Sequence, residues 1–218
     1  PVVSVDTDSQ SVQYSDPIAG VTIMATDVET DPLSATTSWA GGPVAPAGDL
    51  ANAGLPDWLA LREGVLGQYP DAVALPESVE QIRQLLALAD SADLCLIPYG
   101  GGTSVAGHIN PPASLRPVLT VSLAHMGRLL DLDEQSLIAT FGPGASGPQV
   151  ESQLRAKGYT LGHFPQSWEL STLGGWVASR SSGQQSLRYG RIEQLFAGGT
   201  LETFAGPLEI PTFPASAA

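Results

Sequence analysis

Residues 94–104 read LCLIPYGGGTS: a short apolar run, three consecutive glycines, then two hydroxyl side chains. A brief apolar run closed by a turn signal reads as a buried strand. Three glycines in a row carry neither a strand nor a helix onward, because each loses the most backbone freedom and brings no side chain to pack. LCLIP therefore reads as a short buried strand, and a loop of bare backbone opens at Gly100. The flanking patterns alternate in type. In PESVEQIRQLLALADSAD, residues 76–93, the apolar positions Val79, Ile82, Leu85, Leu86 and Ala89 recur at helical spacing, and Ser78 with Gln81 predicts a capping box. VLTVSL and SLIATF predict two more strands. PQVESQLRAKGY predicts a helix with Pro148 near its first turn and Gly158 just past its end.

The 218 residues are 43% hydrophobic, enough for a packed core. The formal charge of −13 argues against nucleic acid and anionic membrane surfaces as partners, since both are held by Lys and Arg, and nucleic acid is discarded. No run approaches the roughly 18 apolar residues of a membrane span. The N-terminus lacks the pattern of a signal peptide, so the expectation is a cytosolic chain or one whose leader has been removed. The single cysteine, Cys95, lies in an apolar run and predicts a buried, inert thiol.

Charge divides the chain. Arg62 is the first basic residue, and every charged side chain before it is Asp or Glu. Residues 1–40 read as short alternating β-segments, VVSVD, SVQYS, GVTIMATD and LSATTSW. Residues 41–57, rich in Gly, Pro and Ala, read as a linker, and residues 58–218 as the α+β part. The stretch ATDVETDPLSATTSW resembles immunoglobulin-like or cadherin-like modules of bacterial surface proteins, but it is shorter than the roughly 100 residues of a full sandwich. Asp27, Glu29 and Asp31 could offer oxygen ligands to calcium; a solvated acidic turn is the plainer expectation.

The glycine loop fails two familiar tests. A dinucleotide fingerprint counted from Gly100 reaches Val105 where its third glycine belongs, and a P-loop counted from Gly102 presents His108 where lysine belongs. What remains is a nest of backbone N–H groups suited to an anion, with Thr103 and Ser104 adding hydroxyls. A plain tight turn is the alternative. Residues 162–195, GHFPQSWELSTLGGWVASRSSGQQSLRYGRIEQL, supply further glycine and hydroxyl loops, which would suit the other side of a long phosphate-bearing ligand.

Taken with PDAVALPESVEQI and IPYGGGTSV, that second stretch resembles the PCMH-type FAD-binding domain of the vanillyl-alcohol oxidase superfamily, and within it the FAD-linked oxidases related to alkyldihydroxyacetonephosphate synthase. The resemblance runs from about residue 57 to the last residue. It implies an α+β fold, here its N-terminal part, and a flavin-dependent oxidoreductase in which a small organic substrate passes a hydride to FAD. It also implies that Pro98, Gly100, Gly101, Gly102, Thr103 and Ser104 wrap the pyrophosphate. By the same carry-over Pro165, Gln166, Ser167, Thr172, Gly174, Gly175 and Trp176 line the pyrophosphate and isoalloxazine, with Ser182, Gly183, Tyr189, Gly190 and Ile192 near the flavin. Thr103 stands where some relatives bond flavin through a histidine, so non-covalent FAD is expected. The synthases usually carry acidic residues where this chain has Phe164 and Gln166, which points to general flavin oxidation rather than ether-lipid chemistry. The family's cap domain lies beyond PTFPASAA, so no catalytic residue is carried over, and the fragment is expected to be inactive on substrate.

Several side chains have a structural and a functional reading. His163 is a proton shuttle or a loop-holding hydrogen-bond partner. Arg180, Arg188 and Arg191 face phosphate or pair with surface carboxylates. Trp58, Trp168 and Trp176 stack on an aromatic ligand or fill the core. His108, His125 and His163 are too scattered for zinc, and no metal is expected. A reading from another class is an extracellular binding or adhesion module, which calcium-dependent stability would favour, with the flavin-like part as scaffold.

Overall fold

The computed structural model describes residues 2–5, 21–26, 32–37, 59, 62–63, 69–112 and 115–211. The linker 41–57, Trp58 and the acidic residues Asp27, Glu29 and Asp31 lie outside them, as does the SVQYS segment. The chain packs as two compact units, Pro1–Ser122 and Leu123–Ala218.

The first unit begins with three strands, β1 (Val2–Val5), β2 (Val21–Thr26) and β3 (Pro32–Thr37), joined antiparallel in the order β1-β2-β3. It continues with β4 (Ala72–Ala74), α1 (Val79–Ser91), β5 (Cys95–Tyr99) and β6 (Val118–Ser122). These strands form a parallel sheet in the order β4-β6-β5. The central strand β6 buries Val118, Leu119, Thr120 and Val121 in succession, the continuous burial expected of a parallel strand paired on both edges. Asp71 fixes where the sheet starts: its N–H donates to the Val118 carbonyl at 2.8 Å, and its carboxylate accepts the Val118 N–H at 2.6 Å.

Helix α1 buries Leu85 and Ala89 of the expected stripe together with Leu88, which the stripe did not include; Ile82 and Leu86 are half-buried, and Val79 at its first turn stays exposed. Its cap differs from the expected box. Ser78 accepts the Gln81 N–H at 3.3 Å, but the Gln81 side chain reaches back to the N–H of Glu77 at 2.7 Å rather than to that of Ser78. Cys95 is only half-buried, because β5 is an edge strand. Parallel pairing of β5 with β6 has one further consequence. The chain leaves β5 at the carboxyl edge of the sheet and must return to the amino edge to start β6, so the glycine loop sits where parallel sheets receive ligands.

The second unit opens with an antiparallel pair, β7 (Leu129–Asp133) and β8 (Ile138–Phe141), turned by Asp133, whose Oδ1 accepts the N–H groups of Gln135 and Ser136. Helix α2 (Gly147–Arg155) follows, with Pro148 in its first turn. The Ser146 N–H donates to Gln149 Oε1 at 2.9 Å, and Gly158 beyond the helix takes φ +86°. Gln153 ties α2 to the first pair by accepting the Leu129 N–H at 2.8 Å and donating to the Gly127 carbonyl at 3.1 Å. Three short helices, α3 (Leu173–Ser179), α4 (Ser186–Tyr189) and α5 (Ile192–Leu195), and a hairpin of β9 (Gly199–Thr203) with β10 (Gly206–Ile210) complete the unit. Its core is Ala145, Val150, Leu154, Trp176 and Ile192, with Phe141, Tyr159, Leu161, Trp168, Leu173 and Val177 packed against them.

Candidate functional site

The first loop is built on backbone. Pro98 is exposed at the end of β5, Gly100 and Gly101 are half-buried, and Gly102 is buried at φ +70°, a left-handed conformation that costs a side-chain-bearing residue about 1–2 kcal/mol. Among the described residues the N–H groups of Gly101, Gly102 and Thr103 donate to no protein acceptor. Thr103 and Ser104 are half-buried, and the Ser104 hydroxyl lies 3.0 Å from His108 Nδ1. His108 thus holds a loop hydroxyl. The loop presents successive unengaged donors and no fixed charge, which is the chemistry of an anion nest.

The second unit gathers the residues of the later stretch around one folded-back loop. At its start Gly162 takes φ +77°, and a Cβ there would lie 2.5 Å from the Tyr189 ring, so the ring packs flat on bare backbone. Phe164 accepts the Gln184 N–H at 2.9 Å, and a Cβ on Gly183 would come within 2.8 Å of the Phe164 nitrogen. The Gly183 N–H donates to Ser186 Oγ at 2.8 Å. Pro165 is buried and its carbonyl receives the Trp168 N–H, while Gln166 is exposed and Ser167 half-buried. Ser182 is exposed. Gly190 ends α4 at φ +92°.

Thr172, Gly174 and Gly175 are set by a glycine-rich turn, residues 142–147, that sequence reasoning passed over. The Leu173 N–H donates to the Ala145 carbonyl and the Gly174 N–H to the Pro143 carbonyl, each at 2.8 Å. A Cβ on Gly174 would meet the Pro143 side chain at 2.8 Å, so only glycine allows this approach. The first N–H groups of α3 are therefore already engaged by protein. Thr172 is 5% exposed, and its buried Oγ1 has no hydrogen-bond partner. A Cβ built on the exposed Gly175 would lie 3.3 Å from that oxygen and, its chain neighbours and helix backbone apart, meet no other heavy atom within 4 Å. A buried hydroxyl without a partner is costly, a condition Thr172 shares with His163 Nδ1 and Trp168 Nε1.

His163 is 1% exposed and stands edge-on to Trp176, with ring centroids 5.0 Å apart. Its Nε2 lies 3.2 Å from Ser181 Oγ. Burial pushes its pKa below the ordinary histidine value, against a smaller opposing pull from Glu193, so the ring is neutral at neutral pH. This is the loop-holding role. Trp176, 2% exposed, donates its indole N–H to Ser171 Oγ at 2.6 Å, and Ile192, also 2% exposed, donates its backbone N–H to the Ser181 carbonyl. Both side chains are core. Arg180 caps α3 in the left-handed region at φ 54° and pairs with Glu193 at 3.4 Å, and the Arg188 guanidinium lies 5.3 Å from the Tyr189 ring centroid. Trp168 covers Gly147 and leans on Phe164. Sequence reasoning also missed Glu151, a 3% exposed carboxylate that accepts the N–H groups of Leu161 and Gly162 and the Thr160 hydroxyl.

The family model described as FAD binding domain matches residues 70–206. Alkyldihydroxyacetonephosphate synthase of Trypanosoma brucei brucei is 38% identical over 153 residues, covering 69% of this chain and 25% of the relative. The synthase of Dictyostelium discoideum is 38% identical over 156 residues, 72% of this chain and 26% of the relative. A glycolate oxidase subunit of Bacillus subtilis is 31% identical over 146 residues, 64% of this chain and 30% of the relative. A solved alkyldihydroxyacetonephosphate synthase superposes with a TM-score of 0.69 at 38% identity, covering 72% of this chain and 28% of that one. A berberine bridge enzyme variant, at 20% identity and a TM-score of 0.58, shares the fold. The chain spans about a quarter of the length of the synthases it matches.

Proposed function

The chain belongs to the family of FAD binding domains of flavin-dependent oxidoreductases, and from that premise we propose that it binds FAD non-covalently as the cofactor-holding part of an enzyme acting on a small organic molecule. Bound FAD would supply the acceptor for a hydride from that substrate. The chain's own residues bind and orient. Gly100, Gly101, Gly102, Thr103 and Ser104, entered from Pro98, turn N–H and hydroxyl donors onto the pyrophosphate. Thr172, Gly174 and Gly175, with Pro165, Gln166 and Ser167, line the pyrophosphate and isoalloxazine, and Ser182, Gly183, Tyr189 and Gly190 lie near the flavin. Trp176 and Ile192 act from the core, holding the loop backbone in place.

The observation that carries the assignment is the buried Thr172 Oγ1 with no protein partner beside the open face of Gly175. Donors of this kind suit phosphate oxygens, and they explain how a chain of formal charge −13 takes an anionic cofactor through neutral groups. Thr103 supports non-covalent attachment, since a hydroxyl there offers no nucleophilic imidazole to the flavin. The same reading keeps residues 1–40 as a β-rich segment, 41–57 as a linker and 58–218 as the flavin-domain portion. An immunoglobulin-like identity for the first segment rests on sequence resemblance alone.

The test is a titration of the purified chain with FAD, followed by flavin absorbance and fluorescence. A flavin band that travels with the protein and is freed by denaturant supports the reading. A colourless chain that leaves the fluorescence of added FAD unchanged overturns it.

A further inference from the structure

A buried carboxylate held by two backbone N–H groups, a hydroxyl and one exposed arginine is an expensive way to fill a core position. Glu151 sits on the inward face of α2 with its side chain 4% exposed. Its Oε1 accepts the N–H of Leu161 at 3.1 Å and of Gly162 at 3.2 Å, the Thr160 hydroxyl lies 3.0 Å and 2.8 Å from the two oxygens, and Arg155 Nε approaches Oε2 at 3.4 Å. An apolar residue of the same size would serve stability as well in most cores, provided the donors it faced were satisfied elsewhere. Here they are not free to move. Gly162 is held at φ +77° with the Tyr189 ring against it, and the next residue, His163, is locked on Trp176 and Ser181. One residue further on, Phe164 fixes Gly183 and Gln184.

We propose that Glu151 is a positioning residue: its carboxylate clamps the 160–162 turn and thereby sets Tyr189 and the 163–167 loop in the geometry that receives the cofactor. This rests on the FAD reading above. Glutamine preserves the clamp on the turn, because its carbonyl accepts both N–H groups and its amide donates to the Thr160 hydroxyl, and it gives up only the pairing with the exposed Arg155. Leucine fills the volume and leaves two buried donors without acceptors, which converts to roughly a tenfold loss for each donor that cannot be satisfied elsewhere.

The experiment compares the wild-type chain with Glu151→Gln, Glu151→Leu and the milder Thr160→Val, by FAD titration and by amide hydrogen exchange of the protein without added FAD. Expected are at least about tenfold faster exchange at residues 161–164 and at least about tenfold weaker FAD binding in Glu151→Leu, smaller effects of the same kind in Thr160→Val, and recovery of both to within about threefold of wild type in Glu151→Gln. Unchanged exchange at 161–164 in Glu151→Leu refutes the clamp. Faster exchange with unchanged FAD affinity refutes the positioning role. Failure of the wild-type chain to bind FAD overturns the cofactor reading and the positioning role with it, and is told apart because the exchange difference between variants persists. Should Glu151→Leu fail to fold, the Thr160→Val and Glu151→Gln pair carries the same comparison.

Discussion

Gly162 and Gly158 provide an internally controlled test of how the candidate loop is built. Both have left-handed backbone, at φ +77° and +86°. A Cβ on Gly158 would meet nothing within 4 Å, whereas a Cβ on Gly162 would fall 2.5 Å from the Tyr189 ring. Alanine at either site costs about 1–2 kcal/mol for the left-handed conformation, partly offset by about 0.4–1 kcal/mol from a less free unfolded chain. Gly158→Ala should therefore destabilise by about 1 kcal/mol. Gly162→Ala adds the overpacking against Tyr189, about 1–3 kcal/mol, for a total of about 2–4 kcal/mol. Urea titration monitored by tryptophan fluorescence reads the difference, because the buried Trp176 belongs to the same unit. The double variant Gly162→Ala/Tyr189→Ala should cost less than the sum of its parts by about 1–3 kcal/mol, since removing the ring removes the clash. Equal destabilisation by Gly158→Ala and Gly162→Ala, or additivity in the double variant to within about 0.5 kcal/mol, would refute the packing of Tyr189 on Gly162.

Other consequences follow from individual groups. His163 is buried with its pKa lowered, so between the ordinary value of 6.5 and its folded value the unfolded chain binds the extra proton; stability is complete above about pH 6.5 and falls as pH drops below it, by up to about 1.4 kcal/mol per pH unit, and His163→Asn should flatten that stretch of the urea-midpoint profile. Gly102→Val, at a buried position with φ +70°, should weaken FAD binding at least about tenfold in a fluorescence titration, while Gly158→Ala leaves affinity within about twofold of wild type. With Thr103 in the loop, acid precipitation of the loaded chain should leave the flavin in the supernatant; flavin in the pellet would contradict non-covalent binding. Trp176→Phe removes the indole donor from Ser171 and leaves a gap in the core, and should cost at least about 1 kcal/mol in a urea titration followed by far-UV circular dichroism, since the net hydrogen bond alone is worth about that much.

Which parts of this molecule can be read along the chain follows from the range of the interactions that make them. Strand β5 and its glycine loop are local: an apolar run ends and bare backbone begins within eleven residues, 94–104. Helices α1 and α2 are local as well, since period, Ser78, Pro148 and Gly158 lie within one turn of what they control. Helix α3 is different. LGGWVAS contains two glycines, each about 1 kcal/mol poorer than alanine in a helix, and it ends on Arg180 rather than on the glycine usual at a left-handed cap. Its helix is imposed by the Pro143 and Ala145 carbonyls and by burial of Trp176, about thirty residues away in sequence from the first of these. Strand β7, LLDLD, carries two aspartates and a register irregularity between Leu129 and Asp131, which hides its alternation.

The site divides along the same line. Glycines and hydroxyls announce themselves by type, so the backbone proposed to face the cofactor is visible in the sequence. The groups that hold that backbone are not, because their function lies in a contact. Glu151 reads on a helical wheel as one more polar residue of α2, and only the return of the chain at 160–162 makes it a buried acceptor. Trp176 is the converse case: an aromatic ring inside a cofactor motif invites a stacking role, yet its indole is 2% exposed and hydrogen-bonded to Ser171. A motif residue can serve a cofactor by shaping the turn that touches it. The variants that separate these roles are therefore those that alter loop geometry while leaving the proposed cofactor donors intact, and Glu151→Leu and Gly162→Ala are of that kind.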